Sequence, residues 1–164
     1  MSTDNTAKSK PVTMLTSLRD QAAKFPVHLE LQRLDGEMVR VTITCKAHGK
    51  RAWSRLRSQH VDAILAAEKA MAEAEQANLA PGADAPAAKP SAPRLEDLVD
   101  RGIARDASFF AGIVDSWTLP EPCDAEGLEN LEDNFGGALS QLLAAYERAV
   151  YHGQLGNSGP SRAR

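Results

Sequence analysis

Alternation of apolar and polar side chains on both sides of Asp35-Gly36 constrains this chain more than any other feature. In Val27-His28-Leu29-Glu30-Leu31-Gln32-Arg33-Leu34 the apolar Val27, Leu29 and Leu31 recur at every second position. After the Asp-Gly pair, Val39, Val41, Ile43 and Cys45 do the same. A period of two places each set on one face of a strand, and glycine accepts the positive φ that a tight turn requires, so the segment reads as a β-hairpin. A lone hairpin is marginal in water, and this one must pack on further structure.

A helix-compatible period begins at Lys50. Trp53, Leu56, Ile64, Ala67, Met71 and Ala74 share one face, with His60 in the same row, and the pattern fades near Asn78. Asn78–Pro93 then holds Pro81, Pro86, Pro90 and Pro93 among small residues and reads as a semi-extended linker. Beyond it, Leu95, Leu98, Val99 and Ile103 mark a helical face. Phe110, Ile113, Val114 and Trp117 continue that stripe after a break near Asp106–Ser108, ending at Leu119 before Pro120. Leu128 and Leu131 define a short helix capped by Asp124 or Cys123. Leu139, Leu142, Leu143, Tyr146, Ala149 and Val150 define a last helix, with Gly136-Gly137 turning the backbone into it and Gly153 and Gly156 at its end.

The expected fold is therefore α+β: an N-terminal β-hairpin packed on a helix, a Pro/Ala-rich linker and a small C-terminal helical unit. The boundaries are a flexible segment at 1–24, hairpin plus helix at 25–77, linker at 78–93, helical unit at 94–157 and a disordered tail at 158–164. A protease-sensitive linker between two persistent units is expected.

Charge is divided along the chain. Residues 1–60 hold eleven Lys/Arg and five Asp/Glu, net +6, while residues 61–164 hold eight and seventeen, net −9. Such asymmetry suits a bipolar surface with different partners. The basic segment Lys46–Arg57 supports an alternative, a small nucleic-acid-binding or regulatory protein with Trp53 free for stacking. Trp53 shares its row with Leu56 and His60, which favours a core position, and nucleic acid is judged the lesser reading.

Catalytic and metal-binding signatures are missing from the sequence. His28, His48, His60 and His152 stand far apart, and no HExxH, GxSxG, Walker-type or GxGxxG run is present. No enzyme activity, cofactor or metal site is expected. Two widely spaced cysteines, a polar N-terminal stretch and the absence of any long apolar run suggest a cytoplasmic protein with reduced thiols and no membrane span.

The C-terminal unit carries more large apolar side chains than two short stripes need. Phe110, Ile113, Val114 and Trp117 are expected to pack against Leu139, Leu142, Tyr146 and Val150, leaving Phe109, Leu119 and part of the Trp117 ring at the edge. Aromatic side chains of this kind dominate interfaces when desolvated. The candidate partner-binding residues are Phe109, Phe110, Ile113, Trp117, Leu119 and Tyr146.

Taken in order, these residues resemble the tail assembly chaperones of long-tailed bacteriophages. The resemblance rests on Asp35-Gly36 and Val41–Lys46 in the front half. In the back half it rests on Ile113-Val114-Asp115-Ser116-Trp117, Leu128, Leu131, Gly137-Ala138, Leu142, Ala145-Tyr146, Ala149 and Gly156-Asn157. Ser116 stands where such proteins often have Gly, and Gln154-Leu155 where basic residues are common. The resemblance implies a non-enzymatic helper in the host cytoplasm that shields the helical tape-measure protein and helps recruit tail-tube subunits.

Overall fold

The computed structural model describes residues 14, 16–17, 22–79 and 94–153. The expected linker from 80 onward, the 158–164 tail, Gly156 and most of the 1–24 segment lie outside them.

Strands β1 (Lys24–Gln32) and β2 (Met38–Lys46) pair antiparallel from Lys24↔Lys46 to Gln32↔Met38. Their turn is closed by Gly36 N–H donating to the Arg33 carbonyl at 2.9 Å, and Gly36 has φ +89°. That conformation suits glycine and penalises any residue with a Cβ. Val27, Leu29 and Leu31 of β1 and Val41, Ile43 and Cys45 of β2 are buried on one face, as the alternation requires.

Helices follow as α1 (Lys50–Leu79), α2 (Leu95–Ala111), α3 (Ala125–Asn134) and α4 (Ala138–His152). The expected α+β fold is present. The Asp124 carboxylate caps α3 by accepting from Gly127 N–H at 2.9 Å. Gly137, with φ +86°, turns the chain into α4, whose exposed N–H groups are met from α3. Glu132 accepts from Gly137 N–H at 2.8 Å and from Leu139 N–H at 2.7 Å. A carboxylate there satisfies orphan donors and opposes the positive end of the helix dipole.

One expectation is overturned. Helix α2 runs without a break through Asp106–Ser108 and stops at Ala111, and Ile113, Val114 and Trp117 do not continue it. Val114–Trp117 is a strand, β3, antiparallel to β2 with Ile43↔Trp117, Thr44↔Ser116 and Cys45↔Val114 in register. The shift between Thr44 and Cys45 leaves Asp115 as the extra residue of a bulge. Positions 110, 113, 114 and 117 share a helical spacing, but the free edge of β2 supplies hydrogen bonds that a continuing helix would not use. Lys46 N–H donates to Ile113 O at 2.8 Å and Thr118 N–H to Thr42 O at 3.1 Å, at either end of the strand.

The sheet order is β1-β2-β3, so a strand from the back half completes the front-half hairpin. A single cluster of buried side chains joins the hairpin face to Trp53, Phe110, Ile113, Leu128, Leu131, Leu139, Leu142 and Tyr146. Helix α4, rather than the following α1, supplies the main cover for β1. The first turns of α1 reach this core through Trp53, whose ring centroid lies 4.5 Å from Tyr146 and 5.9 Å from Phe109. Farther along, side chains of α1 reach α2 at His60–Asp106, 3.3 Å, and Arg101–Met71, 3.9 Å, with the two helices running in opposite directions.

A candidate partner-binding groove

The strand that was expected to be helix helps to build a concave surface. Its C-terminal end points along β2 toward the hairpin tip, and the following residues wrap back to α3. Between tip, strand end and helix lies an open groove of about 620 Å³. Trp117, Leu119, Leu131 and Phe135 give it an apolar lining, and Leu34, fully exposed at the tip, stands on its rim.

Trp117 is fixed from two sides. Its indole N–H donates to the Glu121 carbonyl at 2.7 Å. The ring also lies against the first turn of α3 at Gly127, where an added Cβ would collide with the Pro122 carbonyl oxygen and sit 2.9 Å from Cη2. Only glycine admits ring and Pro120–Cys123 turn together, so a local sequence choice sets the shape of the groove.

The candidate residues divide by accessibility. Phe110, Ile113 and Tyr146 are buried, and their contacts are with the core. Phe109 is half-buried, stacked on His60 at a centroid distance of 4.1 Å and set against Trp53 and Phe110. Trp117 is half-buried and Leu119 is exposed, and these two share the groove. The structure thus brings together Trp117 and Leu119 of the six, and adds Leu34, Leu131 and Phe135, none of which was among the expected contact residues. A leucine in an Asp-Gly turn, where no packing is required of it, was the available signal for Leu34.

Polar groups near the core are employed in holding elements together. Tyr146 donates its hydroxyl proton to the Lys46 carbonyl at 2.8 Å, so His48 Nδ1, at 2.7 Å, is the donor to the tyrosine oxygen. Burial, reinforced by neighbouring Cys45, pushes the Tyr146 hydroxyl up to about 12. Burial, and next Cys123, pushes the Cys45 thiol up to about 12 as well. Such thiols are held in the protonated, unreactive form. Burial lowers the His60 pKa, with the Asp106 carboxylate acting against that shift and Arg57 and Arg105 adding to it.

In the basic segment, Trp53 is fully buried, its indole nitrogen unpartnered in the core, so it offers no ring for base stacking. Lys46 donates to the Gly112 carbonyl at 3.1 Å and Arg57 lies 3.7 Å from Glu147. Among the described residues no helix is long and apolar enough to cross a membrane.

An open groove beside a small sheet, with Trp117, Leu119, Leu131 and Phe135 in its lining, is suited to binding apolar side chains. Residues 8–157 match the family model described as phage tail assembly chaperone. The chain belongs to that family, and its role is that of a phage tail assembly chaperone. No curated protein and no solved structure matches it.

Proposed function

We propose that this chaperone is a non-enzymatic helper that keeps the long helical tape-measure protein soluble in the host cytoplasm and helps bring tail-tube subunits to it. The observation that carries this reading is the fixed, open apolar groove of a chain whose family match spans nearly its whole length. A tape-measure protein is a long helix with exposed apolar stripes. Covering such stripes needs shaped apolar surface and no bond chemistry. Trp117 and Leu119 are the contact residues of this reading; Phe109 supports them through its packing with His60 and Trp53.

The test is co-expression with the very long helical protein and the tube protein encoded beside this chain's gene. The long protein should stay soluble and co-purify with the chaperone, and the tube protein should join the pair. A long protein that precipitates equally with and without the chaperone would sink the reading. Nucleic-acid binding through Lys46–Arg57 is the weaker alternative, because burial of Trp53 leaves that segment only its cations.

A further inference from the structure

We propose that the groove takes an amphipathic helical segment carrying Lys or Arg beside its apolar face, and turns away acidic segments of the same shape. This rests on reading the chain as a carrier for a helical client, and it adds the chemistry by which the client is chosen.

The wall that α3 presents favours a helix as occupant. Gly127, Asn130, Leu131 and Asn134 line the groove at spacings of three and four, which is one face of α3. Asn130 and Asn134 there are short, exposed side chains that let a second helix approach, with the apolar floor beside them. Trp117 is already pinned by Glu121 and Gly127, so little order must be gained on binding.

The rim selects the charge. Asp35 and Glu121 stand on it with a single cation, Arg33, and that guanidinium is engaged by Asp35 at 3.4 Å and Glu37 at 2.9 Å. Beside the rim, the exposed Glu126 and Asp133 stand on α3 next to the lining face, and among the described residues neither forms an ion pair. An acidic excess on the rim and the adjoining side of α3 attracts a basic-flanked segment and repels an acidic one, chiefly through encounter rate and discrimination.

Three labelled peptides of about eighteen residues, roughly five helical turns, test this by fluorescence anisotropy with the full chain. One carries a leucine face flanked by lysines, the second the same face flanked by glutamates, and the third the lysine composition scrambled so that no face forms. The lysine peptide should bind at least about tenfold more tightly than either control, with an advantage over the glutamate peptide that shrinks as salt rises. Leu119→Ser should weaken it, and Glu121→Lys with Glu126→Lys should narrow the charge preference. All three positions are exposed, and unchanged thermal melts would show that folding is intact.

Equal affinity for the lysine and glutamate peptides, or for the lysine peptide and its scrambled form, overturns the inference. Indifference to Leu119→Ser does so too. Co-expression separates the two levels. A client kept soluble by wild type while the peptides show no discrimination leaves the chaperone reading standing and removes this one. A client that wild type cannot keep soluble removes the function that the groove was meant to serve.

Discussion

The hydroxyl of Tyr146 on the last helix is hydrogen-bonded to the backbone carbonyl of Lys46, where the second strand ends, across one hundred positions of sequence. The bond locks α4 to the β2 terminus, and because the same oxygen accepts from His48, it also orders the turn that leads into α1. Tyr146 is fully buried, so both partners lose their complement if the hydroxyl goes. Tyr146→Phe should destabilise the chain by about 1–3 kcal/mol, as expected when part-buried polar groups are left unsatisfied. Urea denaturation measures this directly. A midpoint unchanged within error would show that solvent replaces the hydroxyl without cost.

Gly127→Ala tests the construction of the groove floor. The added methyl meets the Pro122 carbonyl and the Trp117 ring, and relief requires that the turn or the indole move. Overpacking of this kind costs about 1–3 kcal/mol. The variant should melt lower and show altered tryptophan emission, since the Trp117–Glu121 hydrogen bond would be disturbed. An unaltered emission spectrum would mean that the ring does not depend on glycine for its seat.

Alkaline pH should weaken the fold. The Cys45 thiol and the Tyr146 hydroxyl are both pushed up to about 12 from ordinary values of 9.0 and 10.0. Each is neutral when protonated, so between those values the folded chain holds protons that the unfolded chain has lost. Their contribution to stability is complete below pH 9 and is lost as pH rises toward 12. Denaturation midpoints should fall across that range. Cys45 should also resist alkylation at pH 8 in the native state, and rapid labelling of both cysteines would contradict its burial.

The acid side depends on His60. Burial against Phe109 lowers its pKa from 6.5, so the unfolded chain takes up the proton first. The stability tied to this group is present above pH 6.5 and is lost as pH falls through the lowered folded-state value. His60→Leu should flatten the decline just below pH 6.5, read as denaturation midpoints at closely spaced pH values. An unchanged slope would place the acid sensitivity elsewhere.

Legibility in the sequence followed how local each interaction is. The hairpin was readable because its pairing, its turn glycine and its alternation lie within one short stretch. The bounds of α3 and α4 were readable from Asp124, Gly137 and Gly153, each acting on its own helix end. Strand β3 was not. Four residues hold too few alternations to outweigh a helical spacing that Phe110, Ile113, Val114 and Trp117 meet by coincidence, and the strand's partner lies some seventy positions upstream. The groove was illegible for the same reason. It needs Leu34, Trp117 and Gly127 together, which only the completed sheet achieves.

That completed sheet bears on the chain during its own synthesis. When the ribosome has finished α1, the apolar face of Val27, Leu29 and Leu31 has no α4 above it, and the outer edge of β2 has no β3 beside it. Contacts of such long sequence separation form late and make the growing chain slow to close. The nascent front half is therefore sticky surface awaiting cover, the condition a chaperone exists to relieve in others. This one must wait for its own last helix to be relieved of it.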